Sequence, residues 1–588
     1  MLEVIASGGR GTKRPPAGFT GFVNQEQTKI ILSGAETQHA CHVAFRGYLS
    51  NRRSLRCRLA VGEFASDAQL IAAAYRDRPE NFVLQLDGQF AAVIVDAECE
   101  TIILAHDPVG FSPLFYTSGL ENFAFSTHLV DLIDSAGVSD GLDQEYIADF
   151  LAFGQPTTER TPFKCIRRLL PGEMIRWKAR QSSNRRRIWS VAQIEASIPA
   201  NAEQQAEQLT HLLNEAVAAA AGSHARVWTE LSGGLDSSTV AAISVRNGLQ
   251  ISGVGVTYPQ WPTADESGYA RLVAERLNIP YYAIDGCVFR PFCAPPGDFI
   301  GEPSPLSYTG ALLGEWDRLL GENGVTALMT GMGGDEVLGA NPGLPIHLSD
   351  PLFDGHLQAF LGDLKAWKSS TGRSWYYVLK VLGLAAAARH LRGRQVWHVP
   401  SSGLPGWIDR SFRRSMLLDR RCARRLAPGC LHPGRQFLAD VLWLHAMNIS
   451  NRGQRRSTYE ILHPLLDRAL IEFMACLPWR LKVMPDQDRI LHRQALETLL
   501  PDQVRLRRSK GGGTWSLVEG LRQAPWWLDF LTNDPFIVQY GLVDREKWRL
   551  AVERARLGHT GSDRYFMAAV SLETWFYQLR NVSSVPER

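Results

Sequence analysis

Ser232-Gly233-Gly234-Leu235-Asp236-Ser237-Ser238 decides how this chain reads. Val227-Trp228-Thr229-Glu230-Leu231 ahead of it reads as a short buried strand. Residues 238–246 behind it read as a helix that opens on hydroxyl residues and stops at Gly248. Strand, glycine turn and helix N-terminus together make a cradle for an anion. The glycines let backbone N–H groups approach an oxyanion, and the helix dipole favours negative charge there. The serines add hydroxyl donors, and Asp236 can hold a cation that travels with the anion. There is no Gly-Lys-Ser/Thr ending, so this is not a Walker A loop.

Working outward, residues 251–257, 280–284 and 325–329 read as three more strands, with helices expected over 265–277 and 309–320. Strands alternating with helices argue a doubly wound parallel sheet, which binds its ligand at the carboxyl ends of the strands. The last strand runs into a second acidic glycine loop, Thr330-Gly331-Met332-Gly333-Gly334-Asp335-Glu336. Its position brings Asp335 within reach of the same anion as Asp236. Two carboxylates, with phosphate oxygens and water, suit Mg²⁺. An amphipathic helix over 202–222 precedes the sheet, with Leu209, Leu213 and Val217 on one face.

The 588 residues suggest two to four domains, and 45% hydrophobic residues supply ample core. A net charge of +3 leaves no global footprint for nucleic acid, so none is expected as a partner. Nine scattered cysteines without a CxxC pair argue against a zinc ribbon, a redox pair or a disulfide framework. The most apolar stretch, 381–388, is too short to span a bilayer, and the N-terminus shows no signal-peptide pattern. No membrane partner and a cytoplasmic location are therefore expected.

Residues 1–195 read as a β-rich α+β domain. Apolar runs over 90–96 and 101–105, broken at 98–100, signal a hairpin. A helix is expected from Asp67 to Tyr75, and Leu170-Pro171-Gly172-Glu173 leads into a strand over 174–177. The polar stretch after Trp189 reads as a linker to a second domain, 196–588. From Asp350 onward helix formers dominate, and a helical substrate region is expected over about 350–460. Between Arg389 and Arg435 arginines crowd around Trp397, Trp407 and Phe412. That pattern suits a solvated helical face, or a groove in which aromatics pack an extended peptide and arginines hold its carboxylates.

The Ser232–Ser238 loop resembles the pyrophosphate loop, SGGxDSS, of the N-type ATP pyrophosphatases. Those enzymes cut ATP between the α and β phosphates and pass AMP to a carboxylate or amide oxygen. Asp67-Ala68-Gln69-Leu70, Leu86-Asp87-Gly88-Gln89-Phe90, His106-Asp107-Pro108-Val109-Gly110, Pro113-Leu114-Phe115-Tyr116 and Leu170-Pro171-Gly172 fall in the order seen in the first domain of asparagine synthetase-like proteins. The resemblance implies an Ntn-hydrolase-like, glutaminase-like α+β domain, then a doubly wound ATP pyrophosphatase domain with a helical C-terminal region. It implies ATP held by Leu231, Ser232, Gly233, Gly234, Asp236, Ser237, Ser238, Val256, Gly331 and Gly333, with Mg²⁺ on Asp236 and Asp335. Tyr459 to Asp467 resembles the family's ExRxPxxD segment, with His463 where arginine is usual. Arg505 to Gly511 resembles its late Arg/Lys-Gly loop. On this likeness Glu460 assists the attacking amine, and Lys510 stabilises the oxyanion and the leaving phosphate charge. Glutaminase catalysis in the family needs a free N-terminal cysteine. The chain reads Met1-Leu2-Glu3 and Cys41 is internal, so a glutaminase-dead domain and a nitrogen donor other than glutamine are expected.

Such a chain leaves three enzyme readings: an ammonia-using asparagine synthetase, a β-lactam synthetase and a lasso peptide cyclase. The last adenylates an Asp or Glu side chain of a precursor peptide, whose own N-terminal amine then closes a macrolactam. β-Lactam synthetases carry a tyrosine where Met332 stands. The Gly331–Pro342 stretch and the Arg508–Gly513 loop look like the lasso cyclase versions, which favours that reading. A precursor peptide and a leader-peptide protease are the partners this implies. A non-catalytic scaffold in a peptide-processing complex is the other class, against which the intact Ser232–Ser238 loop and Asp335 speak.

Overall fold

The computed structural model describes residues 3–7, 20–23, 29–33, 35–38, 41–119, 123–135, 141–199, 201–222, 224–339, 346–396, 403–508, 514–559 and 563–582. In the first two hundred residues two antiparallel sheets face each other. The larger orders its strands Asn184–Arg187, Glu173–Lys178, Thr101–His106, Gly88–Asp96, Cys41–Leu49 and Ala35–Gln38; the smaller orders Arg167–Arg168, Phe115–Ser118, Phe123–Ser126 and Thr20–Val23. Ala91, Val93 and Val95 alternate onto the face that meets Phe123 and Phe125 of the smaller sheet. Phe90, Ala92 and Ile94 take the other face, in one core with Leu55, Leu70 and Ile71 of the helices Arg52–Leu59 and Asp67–Asp77. Burial on both faces is why the run over 90–95 is apolar without interruption.

A five-stranded parallel sheet follows, in the order Tyr281–Asp285, Ile251–Thr257, Val227–Glu230, Ala327–Met329 and Glu460–Leu462. The chain winds outward from Val227–Glu230 on one side, then returns to lay Ala327–Met329 on the other. The loops that leave these two central strands therefore flank the switch point, where sheets of this kind place their ligands. Trp228 and Leu328 turn to one face, in a cluster with Leu320 and Tyr459. Val227, Ala327 and Met329 turn to the other, against Leu209, Leu213 and Val217 of the helix Ala202–Ala221. The fifth strand, Glu460–Leu462, is three residues long, too short for its pattern to register in the sequence.

The two halves are joined by polar contacts, some of them fully buried. Arg168 pairs with Glu302 where neither side chain is exposed, and Glu302 also accepts from Gln454 Nε2 at 2.7 Å. Gln89 Nε2 donates to the His463 carbonyl at 2.7 Å, and Asp87 pairs with Arg468 at 3.0 Å. No helix among the described residues is long and apolar enough to cross a membrane.

The peptide groove expected of Trp407 and Phe412 does not form around them. Phe412 is buried, and Trp407 packs edge-on against Trp548 at 5.2 Å. Arg421 and Arg424 reach Asp149 at 2.8 and 2.7 Å, on the helix Gln144–Phe153 of the first domain. Arg425 donates to the His390 carbonyl at 2.7 Å and Arg413 pairs with Asp419. Asp149, buried among helices, draws the guanidiniums inward, because a buried carboxylate needs a cation. Trp397 lies outside the described residues.

Candidate functional site

The helix behind the first glycine loop, Leu235–Arg246, starts earlier than its hydroxyl residues suggest. Its cap is Gly234, which offers no side chain to the first N–H groups. Asp236, Ser237 and Ser238 thus ride in the first turn, where the helix end favours an anion. Gly233 has φ +83°, and a Cβ there would lie 2.7 Å from the Ala270 nitrogen, so both backbone and space require glycine. The Ser232 hydroxyl lies 3.1 Å from Ser237 Oγ and accepts from the Gly234 N–H at 3.3 Å. Ser238 Oγ is buried with no hydrogen-bond partner among the described residues, an uncommitted donor in that turn.

The second loop packs directly onto the first. A Cβ on Gly331 would come within 2.5 Å of the Ser237 nitrogen, and one on Gly334 within 2.4 Å of Asp236 Cγ. A group that the sequence did not single out ties the loops together. Arg489, 3% exposed, donates Nη1 to Asp236 Oδ1 at 2.8 Å and pairs through Nη2 with Asp335. Asp236 is largely buried, while 41% of the Asp335 side chain is exposed. Among the described residues no group of three or more His, Cys, Asp and Glu side chains gathers to hold a metal. A pair of carboxylates fits Mg²⁺, which draws the rest of its shell from phosphate oxygens and water.

On the far face of the same strand ends lies a cavity of about 520 Å³. The sheet contributes Glu230, Val256, Thr330, Met332 and His463 to its wall, and the helix Gly310–Glu322 contributes Leu312 and Trp316. Arg452 enters from the end of the helix Pro433–Arg452, and Arg46 and Phe111 from the first domain. His463 Nδ1 lies 2.8 Å from Thr330 Oγ1. Burial, reinforced by His445 and Arg452 nearby, pushes the His463 imidazole down to about 3, so it is neutral at pH 7. Burial pushes the Glu230 carboxyl up, against the pull of Arg452.

Ser232–Ser238, Gly331, Gly333 and Asp335 thus gather at the carboxyl ends of two adjacent strands, with Val256 beside them on the cavity wall. Leu231 differs: its side chain is fully buried with Leu235, Ile251 and Val273, so only its backbone faces the loop. Glu460 is a correction. It is level with Ala327 and Val227, at the amino ends of the strands, roughly 10 Å along the sheet from the loops at about 3.3 Å per residue. There its carboxylate lies 3.8 Å from His224 Nε2. Chain position brought the motif to the sheet, but the strand opens on Glu460 instead of ending on it. Lys510 lies outside the described residues. Arg507, just before it, pairs with Glu266 and lies 4.0 Å over the Tyr269 ring, beside Gly233. In the first domain, Cys41 is buried near Asp96, and burial pushes its thiol up to about 11, which leaves it a poor nucleophile at neutral pH.

The asparagine synthase family model matches residues 208–577, and the glutamine amidotransferase domain model matches residues 33–189. Over 563 residues the chain is 22% identical to asparagine synthetase [glutamine-hydrolyzing] 3 of Bacillus subtilis (strain 168), across 90% of this chain and 85% of that protein. It is 27% identical over 289 residues to amidase chyE of Penicillium rubens, 45% of this chain and 42% of the other. With an asparagine synthetase of Zea mays it shares 29% identity over 123 residues, 20% of this chain and 19% of that one. The synthase match alone spans more than half of the chain, behind an amidotransferase-type domain: this protein belongs to the asparagine synthase family, whose members are ATP-dependent, AMP-forming carbon–nitrogen ligases.

Proposed function

We propose that this ligase closes a ring within a peptide, as a lasso peptide cyclase does. ATP adenylates an Asp or Glu side chain of a precursor peptide, and the peptide's N-terminal amine displaces AMP to give a macrolactam. The observation that carries this reading is the cavity beside the phosphate loops. At about 520 Å³, with Trp316, Leu312, Phe111 and Val256 in its wall, it is of a size that takes drug-sized ligands. Met332 stands in the second loop, so no phenol is available there to relay a proton. A peptide α-amine has a pKa of about 7.7–8.0, so roughly a tenth is free base near pH 7 and a carboxylate base is enough.

In this reading Asp236 and Asp335 would hold Mg²⁺, which would offset charge on the departing pyrophosphate. The loop donors of Ser232–Ser238 hold the phosphates, and Arg489 keeps the two carboxylates together. Lys510 remains the proposed cation for the oxyanion. A leader-peptide protease that exposes the amine is the partner enzyme.

The test gives the intact enzyme and an Asp335→Ala control ATP, Mg²⁺ and trimmed precursor peptides, and follows AMP and peptide mass. A peptide lighter by one water, with AMP formed only by the intact enzyme, is the expected result. Likeness to a B. subtilis asparagine synthetase along 90% of the chain favours a second reading. Asparagine and AMP from aspartate plus ammonia, with no peptide change, would establish it instead.

A further inference from the structure

Two groups of opposite charge face the cavity, and neither side chain has a hydrogen bond or ion pair among the described residues. Glu230 closes the strand Val227–Glu230, two residues before Ser232, so it adjoins the phosphate cradle. Its carboxylate has no hydrogen bond or ion pair among the described residues, although it lies in a wall that also holds Leu312 and Trp316. Arg452 ends the helix Pro433–Arg452 and lines the same cavity. Its guanidinium is likewise without a hydrogen-bond or ion-pair partner there, and it does not pair with Glu230. Arg46 from the first domain adds a second cation to the wall and donates a 3.4 Å hydrogen bond to the Gly453 carbonyl. A carboxylate shielded from water costs free energy until something positive meets it. Among the described residues other buried charges are met within the fold, Arg168 by Glu302 and Arg489 by Asp236, and Asp107 and Glu573 by backbone N–H groups. Here the match for the half-buried Glu230 carboxylate has to come from the ligand, and the exposed Arg452 guanidinium stays open to one.

We infer that Glu230 and Arg452 are a two-point anchor for the two ends that the reaction joins: Glu230 receives the peptide's N-terminal ammonium, and Arg452 the side-chain carboxylate to be activated. The inference rests on the ring-closing reading and assigns its residues. The ammonium gives one proton to the Glu230 carboxylate. Its nitrogen lone pair then forms the C–N bond at the adenylated carbonyl carbon. The C–O bond to the phosphate breaks with its electron pair going to AMP, and the nitrogen's surplus proton leaves with that phosphate. Glu230 thus takes the role that the family likeness assigns to Glu460, from the carboxyl end of the sheet. Leu312, Trp316 and Phe111 are left to accommodate the apolar side chains beside the amine.

The test uses the full-length enzyme with ATP, Mg²⁺ and synthetic core peptides of the producing organism, their N-terminus free or acetylated. Peptide-dependent ATP–pyrophosphate exchange reports activation, mass reports ring closure, and calorimetry reports binding. Glu230→Gln is expected to keep exchange while ring closure falls by about 10²–10⁴-fold, the share that a positioned base supplies. Arg452→Gln is expected to raise the peptide concentration needed for exchange roughly tenfold, as loss of a charge-assisted contact would. Glu230→Asp, which keeps the charge, covers the case in which Glu230→Gln fails to fold, and it should restore part of the ring closure. Unchanged ring closure in Glu230→Gln, or parallel loss of exchange and closure, would overturn the anchor and leave the peptide reading standing. If the intact enzyme makes no ring yet binds the free peptide better than the acetylated one, and Glu230→Gln abolishes that preference, the anchor survives and the ring-closing reading falls. Equal binding of both peptides by the intact enzyme overturns the anchor.

Discussion

The phosphate corner and the cavity share the same strand ends but handle charge in opposite ways. In the corner, Arg489 bridges Asp236 and Asp335, Ser232 meets Ser237, and the glycines leave no room for a side chain between the loops. On the cavity side, Glu230 and Arg452 share a wall without pairing with each other or with any other described residue. A nucleotide's phosphates are the same in every turnover, so a corner that binds them gains from fixed geometry. A substrate that must be told apart from others is better met by groups that only it can satisfy. The difference predicts that stability resides in the corner and selectivity in the cavity.

The largest effect should come from Arg489→Ala. It leaves the nearly buried Asp236 without its cation, a loss of about 3–5 kcal/mol for a buried pair cut on one side. Urea unfolding should show this, and AMP formation should fall about 10²-fold or more as the loops lose their spacing. An unfolding midpoint equal to that of the parent would mean that Arg489 does not hold the corner. Next is Gly334→Ala. Its Cβ would lie 2.4 Å from Asp236 Cγ, an overpacking that costs about 1–3 kcal/mol. Because the damage falls on Asp236, AMP formation should suffer more than thermal stability does.

His463 tests the boundary between the two regions. Its folded pKa is about 3, pushed down chiefly by burial, against about 6.5 in the unfolded chain. Between those values the unfolded chain binds a proton that the folded one refuses, so stability falls as pH falls from 6.5 towards 3. The slope is about 1.4 kcal/mol per pH unit. His463→Gln removes this dependence while keeping an acceptor for Thr330. The change in urea midpoint between pH 6.5 and 5.5 should therefore differ between parent and variant by His463's share, the variant losing less stability on acidification. Equal pH slopes in parent and variant would mean that His463 titrates normally.

The two glycine loops were legible because each is a run of consecutive residues whose chemistry and geometry are local. The strand before Ser232 and the Gly88–Asp96/Thr101–His106 hairpin were legible for the same reason. Arg489 was not, because it meets Asp236 from 253 positions away in the chain and carries no local pattern. Arg421 and Arg424 read as a charged surface by density. Asp149, which takes them in, lies 272 and 275 positions away. Glu460 failed by direction: a motif names a residue, whereas which end of a three-residue strand it occupies is decided by the register with Ala327. Glu230 read only as part of a strand, since its exposure to a cavity depends on helices and a first domain that fold around it.

The smallest effect sharpens the comparison most. Arg452 has no ion pair to lose among the described residues, so Arg452→Gln removes a cation from the last turn of the helix Pro433–Arg452. A charge in that position is worth about 0.3–1 kcal/mol. The urea midpoint should therefore move far less than in Arg489→Ala, although both changes delete a guanidinium near the same strand ends. Equal stability losses from the two would mean that Arg452 is already paired inside the fold, and the contrast between a closed corner and an open cavity would fail. A small loss, beside a large change in the peptide concentration needed for turnover, would mean that the cation is reserved for the substrate.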